Sequence, residues 1–522
     1  MILSETKNMH MQKRSKYLCF NIVLLILITQ IAFATEDWVK CPSQFSDSMV
    51  LQRDKSVPVW GWTSPNEKIV VQFAGQEKRT VSDPSGQWKI VLDKMQASQE
   101  NRELVISSGE KKKVFKNVMV GEVWIASGQS NMQWTLPRSN MPKEVLAKLN
   151  EPLVRIITLR RATSASPRLN FDAKWQTLNS VSGPGSSAVA SFFAIKLKNE
   201  LNVPIGMIST SWGGTRIEPW TPAEGFDKIK ELKHMGDEVR NMDQPDHVKI
   251  SQVKDRIETL NNWLSTAETS SKIGKKVMPV PEAPSINKKI SNRSPGAIYN
   301  SMIHPLVGTA IRGAIWYQGE SNMGEGMLYE KKMQALVKGW REIWYQGEFP
   351  FYYVQLAPFG RYSGEKLGGL WEAQMMAMKS IPNSGMAVTT DIGNLRDIHP
   401  KDKEGVGNRL ALWALAKDYG KKVVYSGPIY SSHEILNDKM IISFQYAESG
   451  LAFKGKALKD IYVKSATDKE YVLAETSIDG SKLIVSHPKG EKPTSVRMGW
   501  NKNAEPNLMN KEGLPASPFR TK

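Results

Sequence analysis

The sequence contains almost no cysteine. Of its 522 residues only Cys19 and Cys41 are cysteines, and Cys19 lies ahead of the signal-peptide cleavage site inferred below. One remaining thiol excludes both an internal disulfide and a cysteine-based zinc site. With seven histidines in addition, the ligand counts indicate no metal site. We therefore expect ordinary hydrophobic cores, with no metal and no cofactor.

Blocks of basic residues are also missing. The formal net charge is +18, from 70 Lys and Arg against 52 Asp and Glu. The lysines are nevertheless scattered, and no run reaches five basic residues. Zinc-finger spacing, an RNP-like run and a basic helical block do not occur either. The sequence therefore predicts no nucleic-acid partner and a solvated basic surface.

Only one long apolar run occurs, from Leu18 to Ile31, and basic residues at positions 13, 14 and 16 precede it. The segment Ala32-Phe33-Ala34 follows, with small residues at −3 and −1 from a cut after Ala34. These are the three parts of a signal peptide, and the run is short for a membrane span. We predict a signal peptide over residues 1–34 and a secreted or periplasmic protein without an integral membrane span. No oligomeric state is predicted.

The remaining chain is too long for one core, so several domains are expected. Residues 35–116 contain short strand-like runs separated by turn signals, which favour an N-terminal β-sandwich-like domain. Residues 117–420 alternate strands with helices, which predicts an α/β domain with a parallel sheet flanked by helices. Within it, residues 225–295 form a polar insertion, either lining the site or merely solvated. Residues 421–522 return to strand-like runs and predict a C-terminal β module.

Polar signatures follow four strand-like runs of the α/β region. They are Ser127-Gly-Gln-Ser-Asn131, Ser211-Trp-Gly-Gly-Thr215, Trp316-Tyr-Gln-Gly-Glu-Ser-Asn322 and Asp391-Ile-Gly-Asn-Leu-Arg-Asp-Ile-His-Pro400. Because parallel strands present their carboxyl ends at one edge of the sheet, these segments are expected to meet there. A buried strand ending in a glycine turn can expose a nucleophile, and Ser130 is the candidate. A turn without chemistry is the alternative for each segment alone.

A serine nucleophile requires a general base, and His399 is the preferred candidate. His399 follows a strand end and lies near Asp391 and Asp397, whereas His304 lies in an apolar context typical of a buried histidine. Asp397 is preferred as the group that orients the imidazole. Asp391 and a backbone carbonyl remain alternatives.

An oxyanion hole requires preorganised amides near the nucleophile. The backbone amide of Ser130 qualifies by position. The other candidates for oxyanion or substrate binding are Gly213, Gly214, Gln318, Glu320 and Asn322. Glu320 also permits a rival hypothesis, a glycoside hydrolase that pairs it with Asp397 or Asp391. A third hypothesis is a non-catalytic glycan-binding protein built on the two β modules.

The strand-end segments together resemble those of the sialate O-acetylesterase family. Gly121-Glu-Val-Trp124, Asp397-Ile-His-Pro400 and the closing Glu512-Gly-Leu-Pro-Ala-Ser-Pro-Phe-Arg520 add to the likeness, which covers nearly the whole mature chain. The resemblance implies an SGNH-hydrolase-like fold and removal of acetyl groups from carbohydrates through a serine nucleophile and an acetyl-enzyme. Ser130 matches the family's nucleophile and His399 its histidine. Two positions depart from the SGNH pattern: Arg396 stands where Asp is usual, and Gly319-Glu-Ser-Asn322 replaces the usual Gly-x-Asn-Asp block.

Overall fold

The computed structural model describes residues 38–243, 246–281 and 290–521. The signal peptide predicted over residues 1–34 lies outside these ranges. The described chain divides into two compact units. One comprises residues 38–41, Trp60–Ile90 and Val105–Val114, and the other comprises Pro42–Val59, Val91–Leu104 and the chain from Phe115 onward. The domain bounds predicted from the sequence stay a prediction.

The smaller unit is built from β-strands. The strand Lys68–Phe73 pairs antiparallel with Gln76–Val81, and residues 70–72 also pair with residues 105–107. Along Lys68–Phe73 and Gln87–Leu92 the side chains alternate between buried and more exposed, as expected for strands that cover a core with one face. Further strands that contribute residues to this unit are Val57–Trp62, Gln87–Leu92 and Ser98–Ser108. The predicted N-terminal β module is thus confirmed as part of the fold class.

The larger unit is organised by a seven-stranded sheet. Across the sheet the strands are Ser384–Ala387, Phe351–Val354, Gly313–Tyr317, Lys111–Gly128, Ile205–Ser211, Asn150–Thr158 and Gln176–Asn179. Adjacent strands are parallel except for Gln176–Asn179, which runs antiparallel at one edge. The predicted α/β class is confirmed. The sheet is mixed rather than wholly parallel. The antiparallel strand was not predicted because it is short and polar and has no hydrophobic run to mark it.

Helices cover the sheet. The α-helices of the described residues are Ser130–Gln133, Lys143–Ala147, Ala188–Leu201, Ala223–Asp227, Lys233–Arg240, Asp246–Lys272, Met327–Trp344, Gly364–Ser380 and Lys403–Lys417. Glycines allow two helices to cross closely: a Cβ added to Gly339 would lie 2.7 Å from the Cα of Gly225. Among the described residues, no helix combines the length and apolar character that a membrane span requires.

The strands of the C-terminal region form small antiparallel sheets. Their bounds are Ile429–Leu436, Lys439–Gln445, Leu451–Phe453, Ile461–Ser465, Val472–Leu473, Glu475–Asp479, Lys482–Ser486, Pro493–Met498, Leu508–Asn510 and Phe519–Arg520. They enclose a separate cluster of buried apolar side chains that includes Ile442, Val463 and Phe519. The predicted C-terminal β module is therefore confirmed as part of the fold class.

A buried carboxylate ties the central strand to its neighbours. Glu122 is fully buried and receives hydrogen bonds from Gln52 at 2.9 Å, Arg53 at 2.5 Å and Arg312 at 2.8 Å. Burial alone would raise the pKa of Glu122, but Arg312, Gln52 and Arg53 outweigh it and lower the pKa. The carboxylate therefore stays charged in the folded protein at neutral pH.

We predict that Glu122→Ala destabilises the protein by about 3–5 kcal/mol, because two partly buried arginines lose their counter-ion. Urea denaturation at pH 7 measures the loss. The exposed Glu77→Ala is the matched control and should change the stability far less, because solvent screens the charge of this side chain. Since folding lowers the pKa of Glu122, its contribution is complete above the unfolded pKa and disappears as the pH falls through the folded one. A variant as stable as the parent would contradict this.

Candidate active site

Ser130 lies at the carboxyl edge of the central sheet. The strand Lys111–Gly128 ends directly before it, and a short helix begins at Ser130. Gly128 has φ +136°, and a Cβ there would lie 2.2 Å from the carbonyl oxygen of Tyr317. Only glycine permits this close approach, after which the amide of Gln129 bonds that same carbonyl at 2.9 Å. The turn thus leaves Ser130 half-buried and accessible.

His399 approaches this serine from the loop after the edge strand Ser384–Ala387. Its Nε2 lies 2.9 Å from the Oγ of Ser130, although the two residues are 269 positions apart. This is the distance that proton transfer between a nucleophile and its base requires. The structure therefore brings together the two residues that were predicted to act as a pair.

Asp397 is the carboxylate nearest the other side of the imidazole. Its Oδ1 accepts a hydrogen bond from the His399 backbone amide at 2.9 Å and lies 3.6 Å from Nδ1. Asp391 instead forms a bidentate pair with Arg409 at 2.6 and 2.7 Å. His304 bonds the carbonyl of Arg168. The geometry therefore favours Asp397 over Asp391 as the partner of His399.

Trp134 is a neighbour of His399 that sequence reasoning missed. The two rings stack with centroids 4.3 Å apart and an angle of 16° between their planes. The indole covers one face of the imidazole, and Arg138 lies 5.3 Å from the indole centroid. Burial lowers the pKa of His399, the charges of Lys403 and Arg138 add to this, and Asp397 opposes it. The imidazole is thereby kept neutral, as a general base must be.

Asn131 connects the serine turn to the histidine loop. Its side-chain amide donates to Glu320 at 2.5 Å and to the carbonyl of Ile398 at 3.1 Å, and its oxygen accepts from Lys403 at 2.5 Å. Three segments distant in sequence therefore meet at one carboxamide. Asn131 belongs to the predicted signature, but no role was predicted for it.

Lys403 and Glu320 are two titratable groups that bond Asn131 from either side. Lys403 is completely buried, and burial lowers its pKa to about 7 against the opposing effect of Glu320. Burial raises the pKa of Glu320, although its bond from Asn131 and the charge of Lys403 oppose the change. One carboxylate oxygen of Glu320 has no hydrogen-bond partner among the described residues. A lysine in the first turn of a helix is unfavourable, and this was the one signal that could have drawn attention to Lys403.

The other predicted residues divide into two groups. Gly213 lies beside the serine, because a Cβ there would lie 3.1 Å from the Cβ of Ser130, whereas Gly214 is exposed with φ +77°. Gln318 and Asn322 are instead buried within the protein. The Gln318 amide donates to Gln129, Asn322 and the carbonyl of Thr215. The latter two side chains thus support the loops around the site.

A cavity of about 390 Å³ adjoins the helix that begins at Ser130. Its lining residues are Gln133, Thr135, Thr158, Leu159, Arg160, Arg161, Gly185, Ser187, Ser209 and Ser211. Hydroxyl groups and two exposed arginines therefore dominate its walls. Such walls suit a polar ligand that carries negative charge.

One group of side chains in the described chain has the composition of a metal site: Asp468, His487 and Glu491. The hydroxyl groups of Ser465 and Thr467 already donate to these carboxylates. His487 accepts a bond from the Lys489 amide at Nδ1, and its Nε2 lies 3.0 Å from Asp468. The group is better described as a hydrogen-bonded cluster than as a set of metal ligands.

Comparison with known proteins identifies the class of enzyme. The family described as carbohydrate esterase, sialic acid-specific acetylesterase, has a model that matches residues 120–253 and 275–415. The mouse sialate O-acetylesterase is 29% identical over 467 residues, covering 82% of each chain, and the human one is 28% identical over 446 residues, covering 77% of this chain and 76% of its own. The crystal structure of a carbohydrate acetylesterase from Xanthomonas citri has 30% identity and a TM-score of 0.76, covering 93% of this chain and 99% of that one.

The fold and these matches define a carbohydrate esterase. The chain belongs to the family of sialic acid-specific acetylesterases. The predicted resemblance and the predicted carbohydrate O-acetylesterase function are confirmed at this level, in place of the glycoside hydrolase and glycan-binding hypotheses.

The hydrogen bond from Lys403 to Asn131 should contribute to the stability of the folded protein. Lys403→Met removes the donor to Asn131 and leaves Glu320 without a neighbouring cation. We expect a loss of about 1–3 kcal/mol in the free energy of unfolding, the cost of leaving the buried oxygen of Asn131 without its hydrogen bond. Denaturant unfolding measures it, with the exposed Lys401→Met as the matched control. Equal stability of the two variants would show that the Asn131 contact contributes nothing.

Proposed function

We propose that the protein hydrolyses O-acetyl esters of sugars through Ser130 as nucleophile and His399 as general base. The observation that carries the proposal is the 2.9 Å contact between Ser130 Oγ and His399 Nε2 at the sheet edge. Oγ attacks the acetyl carbonyl carbon while its proton passes to Nε2. The tetrahedral oxyanion then collapses, and the sugar oxygen departs with the proton from His399.

The second half of the reaction regenerates the serine. A water molecule gives its proton to His399 and attacks the acetyl-enzyme, and acetate leaves as Ser130 Oγ takes the proton back. The proposed oxyanion donors are the backbone amides of Ser130 and Gly214. Ser130 carries the nucleophile itself, and Gly214 follows Gly213, whose own amide already donates to Gln133 at 2.9 Å. Asp397 is proposed to stabilise the imidazolium that forms in both halves.

Acetylated sialic acid is the proposed substrate. Arg160 and Arg161, in the walls of the 390 Å³ cavity beside the serine helix, offer charge for a sugar carboxylate. A comparison of acetate release from acetylated sialic acid and from acetylated xylan tests this choice. A secreted or periplasmic location, directed by residues 1–34, is proposed with it, because such glycans lie outside the cytoplasm.

Ser130→Ala is expected to lower kcat for 4-nitrophenyl acetate by at least about 10³-fold, because the variant lacks the hydroxyl that attacks the ester. Ser127→Ala is the matched control: this serine lies in the same strand end, is buried, and its hydroxyl has no hydrogen-bond partner among the described side chains. Stopped-flow measurement at pH 8 compares the two. Undiminished turnover by Ser130→Ala would exclude the proposed nucleophile.

The burial of His399 beneath Trp134 predicts how kcat/KM depends on pH. The base must be unprotonated, and burial lowers its pKa, so kcat/KM should fall in acid with a midpoint below the ordinary histidine value of about 6.5. Trp134→Ala exposes the ring, which raises this pKa and moves the acid limb to higher pH. Trp134→Phe keeps a stacked ring and should move it less. The hypothesis fails if the midpoint is the same in all three proteins.

A further inference from the structure

Arg161 lies at the same edge of the central sheet as Ser130. The strand Asn150–Thr158 ends just before it, and the amide of Leu159 still bonds the carbonyl of Ser209 in the neighbouring strand at 2.9 Å. Arg161 then leaves the sheet as an exposed side chain in the wall of the 390 Å³ cavity. Its guanidinium is therefore accessible to a ligand in this cavity.

The charge of Arg161 is not compensated by a neighbouring carboxylate. Arg160 is also exposed and lines the same cavity, but it pairs with Asp172 at 3.3 Å. Within the part of the chain that the structure describes, Arg161 has no such ion pair. Of the two arginines, Arg161 is thus the one whose charge is available to an anion from solution.

Trp212 holds Arg161 on the side of the nucleophile. The guanidinium carbon lies 5.9 Å from the centroid of this half-buried indole, within the range of a cation–π contact. The amide of Trp212 bonds the carbonyl of Gly128 at 3.0 Å, directly before the serine turn. The next residue, Gly213, is the one whose added Cβ would lie 3.1 Å from the Cβ of Ser130. The backbone that carries the indole is therefore anchored to the serine turn.

We propose that Arg161 selects acetylated sugars that carry a carboxylate, and that Trp212 is the residue that positions it. The proposal rests on the proposed esterase function of Ser130 and His399. A planar guanidinium binds a carboxylate through two parallel hydrogen bonds, whereas a neutral sugar offers it no anionic partner. The stacking on Trp212 restricts the guanidinium before the substrate arrives, which lowers the entropy that binding must remove.

Two substrates that differ only in charge test the selection. Acetate release is measured from an O-acetylated sialic acid and from the same sugar with its carboxylate converted to a carboxamide. The unmodified protein should prefer the acid by at least about tenfold in kcat/KM, the effect expected of a charge-assisted hydrogen bond. Arg161→Gln should abolish this preference by raising KM for the acid rather than by lowering kcat. Arg160→Gln should keep the larger part of it, because that charge is already paired.

Conservative variants separate recognition from structure. Arg161→Lys keeps the charge but not the planar fork and should retain a reduced preference for the acid. Trp212→Leu should weaken the preference as well, and Trp212→Phe, which keeps an aromatic face, should weaken it less. Once Arg161 is Gln, Trp212→Leu should cause no further loss of preference, since the two residues act through one contact. A full additional loss would overturn the positioning role of Trp212.

The outcomes distinguish this proposal from the esterase function on which it rests. Equal release of acetate from the acid and the carboxamide by the unmodified protein would overturn the role of Arg161 and leave the esterase function standing. Retention of the full preference by Arg161→Gln, or its loss in Arg160→Gln alone, would have the same consequence. Release of acetate from neither sugar would contradict the esterase function itself, and the role of Arg161 with it.

Discussion

The geometry of the active site depends on the carboxamide of Asn131. Asn131 is itself part of the serine turn. Its side chain bonds the Ile398 carbonyl in the histidine loop and the side chains of Glu320 and Lys403. A carboxamide can both donate and accept, which neither a carboxylate nor an ammonium group can do. It can therefore bond Glu320 and Lys403 at once and connect both to the loop that carries His399.

The surroundings of this amide are dry enough to alter the charge of its neighbours. Burial raises the pKa of Glu320 and lowers those of Lys403 and His399. In each case the neutral form gains, which reduces the net cost of burying polar groups beside Ser130. A neutral base and a low local dielectric are also the conditions in which oxyanion donors act most strongly. The same burial thus serves both folding and the proposed chemistry.

Much of the fold and of the candidate active site could be predicted from the sequence. Alternating strands and helices predicted the α/β unit, and the polar segments after the strands predicted that Ser130 and His399 would meet. The edge strand Gln176–Asn179 was missed because it is short and polar, with no hydrophobic run to mark it. Trp134 was missed because its stacking partner is 265 positions away in the chain, and no local pattern encodes such a contact.

The 269-residue separation of Ser130 and His399 has a consequence for folding. Their contact closes only after the strands between them have entered the sheet, so it is among the most non-local contacts of the chain, and such contacts form slowly. A partly folded molecule can have its β modules and several helices in place and still lack the contact between Ser130 and His399. Recovery of esterase activity during refolding would thus report completion of the central sheet, later than probes of helix content.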